Sequence, residues 1–197
     1  MKKGIFFTLM GVTNLGKTTQ LIRLTEKLIN KGKSFAYVKY PIYSLEPTGP
    51  SIHKCLKQGN PNNISALGLQ ELNVQNRSDF EPRLKEMLSS LDIVIAEMYT
   101  GTGIAYGTGD GLNKDHMIEI NKHLLLPTVS VLLDGKRFMD SVEAGHRFET
   151  DDEKTERIRL IHLDLAKEFN WSIVNANRSV EEVHDDIWEI VSPFLVK

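Results

Sequence analysis

The sequence predicts an α/β fold of three layers, a five-stranded parallel sheet with helices on both faces. Two observations carry this. Along the 197 residues, short apolar, β-prone runs alternate with segments of helical periodicity five times, the order that parallel strands with right-handed crossovers produce. The composition, 41% hydrophobic and 25% charged, suits a single globular domain with a sizeable core. No internal repeat, low-complexity tract or linker divides the chain, so residues 1–197 read as one domain.

The elements follow in order. Gly4 to Met10 is an apolar run ended by Gly11 and reads as a buried parallel strand. Lys17 to Asn30 carries Leu21, Ile22, Leu24, Leu28 and Ile29 at helical spacing and stops at Gly32. Ser34 to Tyr40 is a second strand, ended by Pro41, and a short helix is expected at Ile52–Lys57. Ile64 to Ser90 is helical in pattern, and Asp79 and Pro82 are expected to divide it into two helices, because proline suits a first turn. Asp92–Glu97 is the third strand. Met98 to Asn113 is glycine-rich and reads as a loop. A helix at Lys114–Leu125, a strand at Thr128–Asp134, a helix at Asp152–Phe169, a strand at Trp171–Asn175 and a helix at Val180–Val191 complete the chain. Ligands of such sheets bind at the carboxyl ends of the strands, which directs attention to residues 10–18, 40–45, 97–106, 134–150 and 175–179.

Charge and cysteine usage narrow the function classes. The net charge of −2 lacks the basic excess of a protein that coats nucleic acid. No apolar run approaches a membrane span, and the run after Met1-Lys2-Lys3 is too short for a signal peptide. Cys55 is the only cysteine, so neither an intrachain disulfide nor a thiolate zinc site can form. A reducing, cytoplasmic setting is expected, with no nucleic-acid or membrane partner.

Gly11-Val-Thr-Asn-Leu-Gly16-Lys17-Thr18 matches G-x-x-x-x-G-K-[ST]. Its glycines let backbone N–H groups wrap a phosphate, and the helix that follows adds its N-terminal donors. Lys17 can reach the β- and γ-phosphates, and Thr18 can ligate Mg²⁺. The match stands between a buried strand and an amphipathic helix, as this mechanism requires. Glu97 ends a core strand, where an acid can hold Mg²⁺ or meet an acceptor substrate; its bland reading is a solvated strand end, and for Asp134 that reading is the stronger one. Arg77 on an amphipathic helix is by default a surface cation. Gly101-Thr-Gly103 resembles the start of a dinucleotide fingerprint, but Tyr106 replaces the third glycine and the segment does not follow the first strand. His162 and His184 are expected to face solvent, Trp171 and Trp188 to be packing residues, and Cys55 to be inert.

Together these pieces resemble the thymidylate kinase family of nucleoside monophosphate kinases over nearly the whole chain. Gly11–Gln20 looks like that family's phosphate loop, Tyr40-Pro41 its Phe-Pro, Asn76-Arg77 its mid-helix arginine, Glu97-Met98-Tyr99 its Asp-Arg-Tyr, and Ala105-Tyr106 an aromatic position beside the nucleoside. Gly145-His-Arg147-Phe-Glu149 is similar to its lid, and Asn175–Ser179 to its adenine-side loop. The resemblance implies a P-loop kinase fold with a short lid at about 135–150, and transfer of the ATP γ-phosphate to dTMP. It implies that Gly11, Asn14, Gly16, Lys17, Thr18 and Thr19 hold the ATP phosphates, that Arg178 and Ser179 border adenine, and that Thr18 and Glu97 hold Mg²⁺. Thr13, Tyr40, Pro41, Asn73, Arg77, Glu97 and Tyr106 would meet the acceptor. Lys17, Arg77, Glu97 and the lid's Arg147 would carry catalysis, with Arg137 a competitor for the lid role. The family commonly forms homodimers through helices, and the apolar stretch 64–78 is the candidate face.

The departures lie on the acceptor side. Thr13 replaces the family's loop Asp, Asn14 its Gly or Arg, Met10 its Glu, Met98 the Arg of Asp-Arg-Tyr, Tyr43 the arginine after Phe-Pro, and Asn73 the thymine-stacking Phe. Arg77 and Lys39 are left to hold a second phosphate. Two alternatives therefore accompany the monophosphate kinase: a deoxynucleoside kinase, which needs no clamp for an acceptor phosphate, and a nucleotide-binding protein of this fold with little catalysis.

Overall fold

The computed structural model describes residues 4–138 and 152–195. Strand β1 (Ile5–Met10) is buried along its whole length. Its alternation feeds two faces. Ile5, Phe7 and Leu9 join the largest apolar cluster with Leu21, Leu24 and Leu28 of helix α1 (Lys17–Asn30). Phe6 enters a second cluster with Leu84 and Leu88 of helix α3 (Ala66–Ser90). Helices thus cover both faces of the sheet, as the alternating pattern implies.

Strand β2 (Phe35–Lys39) is an edge strand with exposed residues, and helix α2 (Thr48–Lys57) begins at Thr48 rather than Ile52. Strand β3 (Ile93–Glu97) is fully buried. Helix α4 (Thr100–Gly109), helix α5 (Lys114–Asn121), strand β4 (Val129–Asp134), helix α6 (Asp152–Glu168), strand β5 (Ser172–Asn175) and helix α7 (Val180–Val191) follow, with a terminal 3₁₀ turn at Ser192–Leu195. The strands lie in the order β2-β3-β1-β4-β5, all parallel. β1 therefore stands where the strand order changes direction, the position at which such sheets open a crevice for ligands.

Two expectations are corrected. Helix α3 runs unbroken through Pro82. Ser65 caps its start by accepting from the Gly68 N–H, and Leu69, Leu84 and Leu88 bury on either side of the proline; that burial outweighs the interior proline's cost of about 3 kcal/mol. The glycine-rich segment after β3 is a helix, not a loop. Glycines disfavour a helix when isolated, but here each makes room for a neighbour: Gly101 for Trp171, Gly103 for the Arg77 guanidinium, Gly107 for Met117 and Gly109 for Ile158. Close packing of α4 thus replaces intrinsic propensity. The stretch 64–78 forms the first half of α3 and turns Leu69, Gln70, Asn73, Asn76 and Arg77 into the protein interior.

Candidate active site

The loop between β1 and α1 has the backbone its motif requires. Gly11 lies at φ 138° and Gly16 at φ 75°, both in the region that side chains disfavour. A Cβ at Gly11 would also stand 2.6 Å from the Leu133 carbonyl oxygen, so this glycine serves both turn and strand packing. Asn14 adopts φ 59° without being glycine, a strained conformation of the kind that collects at ligand sites. Helix α1 starts at Lys17 with no side-chain cap on its N–H groups, which leaves donors for an anion. Lys17 is buried, and its Nζ donates to the carbonyls of Gly11 (3.2 Å) and Val12 (2.6 Å). The ammonium is thereby held over the loop.

The loop opens into a cleft of about 890 Å³. Thr13, Asn14, Gly16, Lys17, Thr18 and Thr19 line one side, and Tyr40, Pro41, Asn73, Arg77, Glu97 and Tyr106 the other, with Arg178 at the α7 end. The fold thus brings together nearly all the predicted site residues, from five segments of the chain.

Arg77 is the least ordinary of them. It is 5% exposed, not a surface cation. Its Nη2 donates to the Tyr99 carbonyl (3.1 Å) and its Nη1 to Asn121 Oδ1 (3.4 Å), while Nε has no partner. Among the described residues no carboxylate pairs with it. Burial pulls its pKa down to about 10, with the Tyr99 and Tyr40 phenols acting weakly the other way, so the group stays charged at neutral pH. A buried, charged guanidinium without a counter-anion is costly. Placed on a cleft wall, it is a receptor for an anion. Asn73 lies one helical turn away on the same face, its Nδ2 donating to the Leu69 carbonyl (2.9 Å).

Glu97 is 2% exposed at the end of β3 and is not a solvated strand end. Its Oε2 accepts from the Tyr37 hydroxyl (2.5 Å), and Lys39 Nζ stands 3.3 Å from Oε1. Burial, then the bond to Glu97 and its charge, hold the Tyr37 phenol well above its usual range, so it remains a donor. Met98 turns the chain at φ 61° directly after. The Thr18 hydroxyl and the Glu97 carboxylate supply hard oxygen donors to one cleft, a set that suits Mg²⁺.

A family model described as "Thymidylate kinase" matches residues 10–187. The chain belongs to the thymidylate kinase family. Among relatives, the "Thymidylate kinase" of Dictyostelium discoideum is 28% identical, with 96% of this chain and 86% of that one covered. The "Thymidylate kinase" of Homo sapiens is 26% identical, covering 94% and 89%. In fold, the chain is similar to a solved thymidylate kinase from Candida albicans, with a TM-score of 0.77 over 97% of this chain and 92% of that one at 22% identity. The family's fold, a five-stranded parallel sheet wrapped by helices, is the one described above.

Some residues of the thymidylate kinase pattern fall elsewhere. Gly11 shapes the loop but does not line the cleft. The Ser179 hydroxyl is engaged at the start of α7, where it and Glu182 form a capping box, and it too lies outside the cleft lining. Arg178 pairs with Asp186. Asp134 is gripped by Arg159 through Nε (2.6 Å) and Nη2 (2.9 Å). Arg147 and most of the segment 135–150 lie outside the described residues, while Arg137 pairs with Asp152. His162 and His184 are buried, against expectation, because each occupies the inward face of its helix.

Sequence reasoning missed several partners in this thymidylate kinase cleft. Tyr37 holds Glu97, and its alternation with Lys39 on one strand face was the available signal. Asn121 and Gly103 shape the Arg77 seat, and no local pattern marks them. Phe138 lines the cleft and donates its N–H to the Asn14 carbonyl (2.8 Å). Asn177 clasps the Lys136 peptide, accepting from its N–H (2.5 Å) and donating to its carbonyl (2.8 Å), which ties the loop after β4 to the loop after β5.

Proposed function

We propose that the protein is an ATP-dependent thymidylate kinase, moving the γ-phosphate of ATP to dTMP to give dTDP and ADP. The observation that carries this is Arg77, a buried guanidinium without a carboxylate partner, facing the same cleft as an intact phosphate loop. One anion receptor would serve the donor and the other the acceptor.

In this mechanism the loop amides and the α1 N-terminus cradle the ATP phosphates, and Lys17 leaves the Gly11 and Val12 carbonyls to meet the β- and γ-phosphates. Arg77 fixes the acceptor phosphate so that one of its oxygens attacks the γ-phosphorus in line, while the bond to the β-phosphate oxygen breaks and ADP departs. Positioning and charge neutralisation supply most of the acceleration. Thr18 and Glu97 would hold Mg²⁺, which neutralises phosphate charge when bound. Tyr40, Pro41, Thr13, Asn73 and Tyr106 border the acceptor nucleoside, and Arg178 borders adenine. The family likeness would give Arg147, outside the described residues, a catalytic role as well. The same reading places the enzyme in the cytoplasm as a homodimer through the helical face at 64–78, which light scattering would test.

Release of ADP from Mg·ATP, measured against a panel of deoxynucleoside monophosphates and free nucleosides, tests the proposal. Turnover with dTMP, abolished by Lys17→Ala, is the expected result. Tyr43 and Met98 occupy positions where the family has arginines, which favours a second reading as a deoxynucleoside kinase; turnover with thymidine and none with dTMP would establish it. ATP binding with no acceptor turned over would leave a nucleotide-binding protein.

A further inference from the structure

We propose that Tyr37 is a positioning residue for Glu97, pinning Oε2 so that Oε1 and the Lys39 ammonium are presented to the cleft. The inference rests on the kinase reading above, in which Glu97 serves the phosphate site.

A carboxylate as buried as Glu97 needs partners, and it has two of different character. Lys39 sits directly opposite Glu97 in the β2–β3 register, is 57% exposed and lines the cleft. An ion pair to so exposed and flexible an ammonium is weak, and a phosphate entering the cleft competes for it. Tyr37 lies two residues earlier on the same face of β2, outside the cleft lining, with a stiff side chain and a 2.5 Å bond to Oε2. It cannot be recruited by a ligand in the cleft. When Lys39 turns to a phosphate, Tyr37 alone keeps the carboxylate in place, and a carboxylate tied at one oxygen offers the other as a single, fixed donor.

Tyr37→Phe, Glu97→Gln and the double variant test this through two readouts. The first is ADP release with Mg·ATP and dTMP. The second needs no turnover: the gain in ADP affinity on adding Mg²⁺, measured by calorimetry. Tyr37→Phe is expected to lower kcat about tenfold, the scale of one hydrogen bond to a charged group. The fold should be unaltered in circular dichroism, because Tyr37 lies on the edge strand β2. Once Glu97→Gln is in place, Tyr37→Phe should add nothing. It should also shrink the Mg²⁺-dependent gain in ADP affinity. An equal loss of turnover with and without Glu97→Gln, or a Mg²⁺ gain identical to that of the unaltered protein, would overturn the proposal. If no acceptor is turned over, the kinase reading fails by itself and the calorimetric comparison still decides the role of Tyr37.

Discussion

At the residue scale, the site turns on a buried cation, Arg77, that no carboxylate among the described residues pairs with. Lys17 rests on backbone carbonyls, and Arg77 on a carbonyl and an amide oxygen. Neutral acceptors hold the Arg77 guanidinium in place without cancelling it, which leaves its charge for an anionic ligand. Arg77→Ala is therefore expected to raise the KM for dTMP by about a hundredfold, the upper end for a charge-assisted hydrogen bond, while ADP binding in calorimetry stays as it was. Equal effects on both nucleotides would remove Arg77 from the acceptor side. The motif made Lys17 legible in the sequence. The burial of Arg77 was not, because a helix position shows its face only when the packing around it is known.

At the element scale, α3 and α4 form the cleft wall that holds Arg77, and each overrides its local propensity. Pro82 lies exposed within α3 and leaves the Ser78 carbonyl without its helical donor. Pro82→Ala should raise stability by about 1–3 kcal/mol, read as a higher urea midpoint at unchanged slope. In α4, a Cβ at Gly103 would stand 2.8 Å from Arg77 Nη2. Gly103→Ala should displace the guanidinium and raise the KM for dTMP about tenfold or more, with a correctly folded protein and unaltered ADP affinity. The strands and helices with clear periodicity, α1 and α7 above all, were legible residue by residue. The helix at α4 was not, since its glycines signal a loop unless the neighbours that fill their space are known.

At the scale of the whole molecule, the interior contains a histidine that cannot easily be protonated. His162 Nδ1 lies 3.0 Å from the Ile158 carbonyl, Nε2 is unpartnered, and the ring packs edge-on to Tyr106. Burial first, with Lys17 opposing its charge, lowers the pKa from 6.5 to about 4. The unfolded chain then binds a proton that the native state refuses. Stability is complete above about pH 6.5 and falls as the pH drops toward 4, by about 3 kcal/mol from this group. His162→Leu should flatten that limb relative to the unaltered protein in denaturant titrations between pH 7 and 4; parallel curves would show that the ring is protonated in the fold.

By itself the sequence determined the strand–helix alternation, the phosphate loop and its lysine, and the family likeness, because each is written in contiguous residues or in spacing along one element. Tertiary structure decided the rest. The order β2-β3-β1-β4-β5, the helix at α4, the seat of Arg77 against Asn121 and the Tyr37–Glu97 bond all join residues far apart in the chain, 44 positions in one case and 60 in the other. Such contacts depend on which faces the fold turns toward each other. Burial, which decides whether a charge is a surface ornament or a receptor, exists only once those faces have met.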